Sequence, residues 1–292
     1  MMKTRFLALL ALTIICLLPA WAQQPRPSPK PGVKARVETA PSQKPAAPEQ
    51  HVFCVFGDSR PDRDPKRLLI TSRVAGAMAA ERPEFVLGTG DYVDGASTLE
   101  AARKQYDDFF RAIRPLQQYG PVPFAAAVGN HDLSGGMAKL WAQLFGQRYY
   151  SFDIGKAHFI ILDTQQPGQV GRIDGAQWEW LYRDLTAAQG APLIFVVLHQ
   201  PLFPVGVHRG SSLDEYPKYR DRLHMLFARA KVSAVFAGHE HLYNRQKRDG
   251  VNYFITAGGG APLYASPSGG GFYHYLKVTF TDQSYSVEIK RL

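Results

Sequence analysis

The chain has 292 residues, 45% of them apolar, enough for one large domain with a substantial core or two small ones. Its formal net charge of +9 is unevenly placed: the first fifty residues hold seven lysines and arginines against two glutamates, which leaves only +4 on the remaining 242. So mild an excess gives little support to nucleic-acid binding and fits an anionic substrate.

Residues 1–5 form a short basic start, 6–18 are apolar, and Ala20, Trp21 and Ala22 complete the layout of a secretory signal peptide cut after Ala22. The apolar stretch is shorter than the ~20 residues a spanning helix needs, and Ile15 before Cys16 argues against a lipoprotein. The expectation is an exported protein, periplasmic or secreted, with no stable membrane span after cleavage. Residues 23–50 contain seven prolines and almost no large apolar side chain, so they read as an extended, disordered linker. Removal of Cys16 with the signal leaves Cys54 alone, which excludes an intramolecular disulfide and assigns that thiol to packing.

From residue 51 to 292 apolar runs alternate with helical patterns, as in a layered α/β domain. A first strand at 52–56 stops at Gly57, Asp58, Ser59 and Arg60, and a helix follows at 65–81. The strand at 85–87 runs into Gly90 and Asp91, with Tyr92 and Asp94 just beyond; a helix spans 99–113. The apolar run 123–128 stops at Gly129, Asn130, His131 and Asp132. Residues 149–153 and 158–163 form a hairpin turning at Gly155 and Lys156. An amphipathic helix at 177–188 places Trp178, Leu181 and Leu185 on one face. The strand at 193–198 ends at His199. A helix at 216–230 precedes the strand 232–236, which ends at Gly238, His239, Glu240 and His241. The tail alternates at 251–256 and 273–289, suggesting edge strands and hairpins. Between them, residues 257–262 form a loop in which small side chains allow close backbone approach.

Ligands gather at the carboxyl ends of strands in open α/β sheets, and polar residues arrive there repeatedly. A lone Asp or His in such a place is more often a cap or a turn residue. Asp58, Asp91, Asn130, His199, His239 and His241 together are another matter, because burying them side by side without a cation is strongly unfavourable. Two carboxylates, one amide and three imidazoles are too few for two separate cages. They suit two adjacent cations sharing a bridging carboxylate and a bridging water. His131 adds a group that exchanges a proton near neutral pH.

These blocks, Gly57-Asp58, Gly90-Asp91, Gly129-Asn130-His131-Asp132, His199 and Gly238-His239-Glu240-His241, resemble the five-block pattern of the calcineurin-like metallophosphoesterases. Tyr243 and Arg245, after the paired histidines, resemble the purple acid phosphatase branch. The resemblance covers residues 52–262. It implies a four-layer α/β/β/α sandwich around a dinuclear centre of two divalent ions, or of iron and a divalent ion, drawn from Mn, Zn and Fe. It also implies that Asp58 and His241 hold one metal, that Asn130, His199 and His239 hold the other, and that Asp91 bridges. There are two departures. Many relatives place histidine two residues after the first aspartate, where this chain has Arg60; purple acid phosphatases place a metal-bound tyrosine where it has Asp94. Tyr92 is expected to point elsewhere, so the phenolate that favours and colours ferric iron is missing. Asp94 is read as either a weak ligand or, in preference, a residue supporting the ligands from behind, and Arg60 as a clamp on two phosphate oxygens. In the loop 201–216, His208 and Arg209 lie where the resemblance implies substrate-binding residues.

The expected activity is that of an acid-phosphatase-like phosphomonoesterase acting on a small phosphate ester. In it a metal-bridging hydroxide attacks in line, and His131, held by Asp132, protonates the leaving alkoxide or stabilises the transition state. A phosphodiesterase, nuclease or cyclic-nucleotide phosphodiesterase could use the same site, although the modest charge argues against a nucleic-acid partner. A non-catalytic phosphate-binding protein on this scaffold would need lost ligands, and all six positions and His131 are present. Metal identity, natural ester, pH optimum and oligomeric state are left open by the residues.

Overall fold

In β1 (His51–Phe56), Phe53 and Val55 face one way, Cys54 and Phe56 the other, and all four are fully buried. A strand with helices on one face and a second sheet on the other must be apolar on both. The computed structural model describes residues 49–292, so the expected signal peptide and nearly all of the proline-rich linker lie outside the described residues. Among the described residues no helix is long and apolar enough to cross a membrane.

Two sheets stack face to face. In the first, β1 is flanked by β2 (Phe85–Gly88), which pairs in parallel with it and with β3 (Phe124–Ala126). On its other side β1 pairs antiparallel with β10 (His274–Phe280), which in turn pairs with β11 (Tyr285–Arg291). The second sheet runs in the order β4 (Tyr150–Ile154), β5 (Ala157–Ile161), β6 (Leu193–Val197), β7 (Ala234–Ala237), β9 (Val251–Thr256) and β8 (Tyr243–Arg248). Its four central strands are parallel, and β4 and β8 close the edges antiparallel.

Between the sheets the core is rich in phenylalanine. The ring of Phe53 meets those of Phe85, Phe159, Phe195, Phe236 and Phe280 at centroid distances of 5.1–6.2 Å, and each such buried side chain contributes about 2–3 kcal/mol relative to exposure. On the outer face of the first sheet lie α1 (Leu68–Ala80), α2 (Leu99–Ala112) and α3 (Ala138–Phe145), whose Val74, Met78, Phe109 and Trp141 pack against Cys54, Phe56 and Val86. On the outer face of the second lie α4 (Gly175–Ala187) and α5 (Pro217–Arg229), with Leu181, Leu185, Leu223 and Phe227 against Ile160, Ile194 and Val196. The result is the four-layer α/β/β/α sandwich. Cys54 is free and buried as expected, and burial pushes its thiol up to about 12.

Three expectations need correction. The helix expected at 65–81 starts as a separate 3-10 turn (Pro65–Arg67), capped by the Asp64 carboxylate on the N–H of Lys66. Residues 251–256 are not an edge strand, since β9 lies between β7 and β8, and β10 is likewise internal; of the tail only β11 lies at an edge, in the expected hairpin with β10. The edge next to β9 is β8, whose run of Tyr, Asn, Arg, Gln, Lys and Arg shows no apolar alternation; charge on an edge strand hinders sheet-to-sheet aggregation. Helix α3 also went unanticipated, being only eight residues long.

Register sets the position of the site. Phe56 pairs with Gly88 and Gly88 with Ala126 in the first sheet, while Val197 pairs with Phe236 in the second. The carboxyl ends of β1, β2, β3, β6 and β7 therefore open onto one rim.

Candidate metal centre

The chain turns sharply as it leaves these strands. Asp58, Asp91, His239 and His241 have φ of 54°, 57°, 74° and 46°, in the left-handed region that few non-glycine residues occupy. Each such residue stores roughly 1–3 kcal/mol of strain, typical of functional rims. Hydrogen bonds hold them there: Asp58 N–H donates to the carbonyl of Gly90 (2.9 Å), Asp91 N–H to Asp132 Oδ2 (2.8 Å) and His239 N–H to Asp58 Oδ1 (2.9 Å). Gly90 admits no side chain, because a Cβ there would stand 2.7 Å from both the Gly129 nitrogen and His199 Nδ1.

Two clusters form with one member in common. Ligand atoms of Asp91, His199 and His239 all lie within 4.8 Å of one another, and so do those of Asp58, Asp91 and His241. Asn130 joins the first cluster, with its Oδ1 3.0 Å from His199 Nε2. The hydrogen-bonding pattern makes these atoms donors to a cation. His199 Nδ1–H donates to the carbonyl of Thr89 (2.8 Å), and burial holds the ring neutral, so Nε2 carries a lone pair. That lone pair faces Asn130 Oδ1, His239 Nδ1 at 3.1 Å and Asp91 Oδ2 at 3.5 Å, none of which has a proton to offer an acceptor unless His239 gives up its own ligand atom. His241 Nδ1 similarly bonds the carbonyl of Pro262, which leaves Nε2 toward Asp58 Oδ1 at 3.4 Å.

Charge states agree. Burial pushes His241 down to about 3; burial and the neighbouring His199 and His208 rings push His239 down further, so both rings favour the neutral, metal-binding form. Burial and the proximity of Asp91 push the carboxyls of Asp58 and Asp132 well up. Crowded carboxylates beside neutral imidazoles are the electrostatic arrangement that a pair of cations relieves. The residues present therefore fit a dinuclear divalent centre.

The neighbouring residues fall into place with one correction. His131 lies beside the first cluster, its N–H donating to Asp91 Oδ1 at 3.0 Å. Asp132 does not hold it. The Asp132 carboxylate is fully buried and accepts the N–H groups of Asp91 (2.8 Å), Gly129 (2.8 Å) and Tyr92 (3.0 Å), tying the loop after β3 to the loop after β2. A 3-10 turn begins at His131, and successive residues there point in different directions, which is why sequence neighbours do not pair. The group that meets the ring is the carbonyl of Asp94, 3.0 Å from His131 Nδ1.

The Asp94 carboxylate accepts from Asp62 N–H (2.7 Å) and Arg63 N–H (2.9 Å) and stands 3.6 Å from Arg60 Nη1, so it braces the loop after β1 and belongs to neither cluster. Tyr92 is fully buried with its hydroxyl on the carbonyl of Ala127, away from the clusters as expected. Arg60 is buried, donating to Asp62 Oδ1 (2.9 Å) and the Tyr264 hydroxyl (3.1 Å). His208 stacks on the ring of His239 at 4.0 Å, whereas Arg209 is exposed and makes none of these contacts. Sequence reasoning missed Tyr264, which stacks on His241 at 4.0 Å and 12°. It lies just past a glycine-rich loop and carries no local signal of a site. Glu240 was seen only as the spacer between two histidines.

The description of the calcineurin-like phosphoesterases matches residues 51–243. The chain belongs to that family of metal-dependent phosphoester hydrolases. Among its relatives, purple acid phosphatase 23 of Arabidopsis thaliana is 29% identical over 207 residues, which cover 64% of this chain and 42% of that protein. The serine/threonine-protein phosphatase CPPED1 of Rattus norvegicus is 29% identical over 170 residues, covering 55% and 54%. The chain thus spans about half the length of the curated relatives it matches. A solved structure, purple acid phosphatase PPD1 from yellow lupin (Lupinus luteus) seeds, shares the fold with a TM-score of 0.65 at 21% identity, over 85% of this chain and 52% of that one.

Proposed function

We propose that this chain is an exported phosphomonoesterase of the acid-phosphatase type, with residues 1–22 as a signal peptide, 23–50 as a tether and 51–292 as the catalytic domain. The observation that carries the reading is the pair of donor clusters sharing Asp91, with His131 bonded to that same carboxylate. Asn130, His199, His239 and Asp91 would hold one cation, and Asp58, His241 and Asp91 the other. Bound there, two cations neutralise phosphoryl charge and acidify a water for attack.

The chain's own residues supply orientation and protons. Arg60, on a loop braced by Asp62 and Asp94, presents a guanidinium suited to two phosphate oxygens. His131 Nδ1–H donates to the carbonyl of Asp94, an obligate acceptor, so its Nε2 carries a proton only in the imidazolium form. Protonation of a leaving alkoxide from Nε2 therefore requires that form. Asp132 acts at one remove, fixing the backbone of Asp91 and Gly129.

Both sequence relatives quoted carry names of phosphatases, one of them a protein phosphatase, which supports a monoester substrate; the free phosphate ester and the phosphorylated peptide belong to the same chemical class. The test is metal analysis of the purified protein, followed by assay of mono- and bis-aryl phosphates and a phosphoserine peptide with Mn, Zn and Fe. Two metals per chain and a preference for monoesters are expected. Preference for the bis-aryl ester would replace this reading by a diesterase, and failure to hydrolyse any ester with metal bound would leave a phosphate-binding protein.

A further inference from the structure

Glu240 lies between His239 and His241 in the chain yet joins neither donor cluster. It is fully buried, and neither of its carboxylate oxygens has a hydrogen-bond donor. Such a group is strongly disfavoured unless something answers it. His208 Nδ1 is buried and unpartnered as well, and stands 3.9 Å from Glu240 Oε2, about one ångström beyond a hydrogen bond. The loop backbone is built to lie against that carboxylate, for a Cβ on Gly206 would come 2.2 Å from Oε2. The face of the His208 ring is fixed by His239, stacked at 4.0 Å and 28°.

We propose that Glu240 is a positioning residue that acts through His208: its carboxylate accepts the Nδ1–H hydrogen bond and leaves Nε2 to meet an oxygen of the phosphate ester. This rests on the phosphoester reading above. One edge of the imidazole is held by Glu240 and one face by His239, so the ring is oriented before substrate arrives. A carboxylate serving only to fill space would be a poor choice, since an apolar side chain of similar length fills the same volume without an unanswered charge.

The experiment is a double-mutant cycle on the full chain with Glu240→Met, His208→Ala and the double variant. It is read by kcat and KM on an aryl phosphate, by metal content, and by long-range 1H–15N NMR of histidine rings in the zinc-loaded protein. Each single change is expected to lower kcat/KM about tenfold, the scale of one lost charge-assisted hydrogen bond, mainly through KM and with metal content unchanged. The double variant should be no worse than either single one, and Glu240→Gln, which keeps an acceptor, should recover part of the loss. In the NMR spectrum Nδ1 of His208 should carry the proton in the wild type and lose that preference in Glu240→Met. Multiplicative losses in the double variant, metal loss in Glu240→Met, or an unchanged His208 ring would each overturn the proposal. A wild-type protein without phosphoesterase activity would overturn the hydrolase reading instead, while the NMR comparison would still decide whether Glu240 holds His208.

Discussion

At one end of the candidate centre Asp91 is joined by two imidazoles and an amide oxygen, from Asn130, His199 and His239; at the other it is joined by Asp58 and the single imidazole of His241. The second end also has Arg60 close by, whose charge favours the ionised form of Asp58 and opposes protonation of His241. The Asp94 carboxylate does not complete this end, being committed to the backbone of residues 62 and 63. The difference teaches that a protein can meet crowded carboxylates with a metal ion or with a guanidinium, and that the two compete for the same negative charge. The first end therefore offers a cation more neutral donors, and the second offers fewer, with the Arg60 charge beside them.

Replacing Asp91, common to both ends, should give the largest effect: Asp91→Asn is expected to lose both metals and bring turnover to background, checked by metal content and kcat/KM. Next, His131→Ala should lower kcat by about 10²–10³-fold while both metals stay bound; loss of metal would make His131 a ligand. Titration of metal-stripped protein by calorimetry should show two steps separated by about 10–100-fold in affinity. Arg60→His should draw those steps together and raise KM for a monoester, whereas a single step in the wild type would erase the distinction between the two ends.

The smallest effect lies outside both ends and serves as their control. On the second sheet, His158 of β5 bonds Asp153 of the neighbouring β4 (2.6 Å) and Asp184 of the overlying α4 (2.9 Å). Burial opposes its charge, but the hydrogen bonds to Asp184 and Asp153 outweigh that and raise its pKa. A raised folded-state pKa means stability that is fully present below the unfolded value, ~6.5, and is lost as pH rises through the folded one. His158→Gln should therefore cost about 1 kcal/mol in urea unfolding at pH 6 and less at pH 9, with metal binding untouched.

Much of the fold was legible because burial on both faces leaves an unmistakable trace: the runs at 52–56, 85–87 and 193–198 became β1, β2 and β6 with only small shifts in their ends. Strand β8 was illegible, since a charged edge strand owes its conformation to the backbone bonds of β9 rather than to its own side chains. The clustered residues were legible one by one, because each lies within a few residues of the end of an apolar run. The partner of His131 was not, because adjacency to Asp132 suggested a contact that the turn prevents.

By itself the sequence determined the inventory: which oxygen and nitrogen donors end which strands, and that they are too many to bury without cations. Tertiary structure alone decided how they are answered. Arg60 meets Tyr264 across 204 residues, His208 covers His239, Tyr264 covers His241, and Asp132 ties two loops together. Such contacts join segments distant in the chain, and their geometry is set by sheet register and loop path, neither of which leaves a local pattern in the residues.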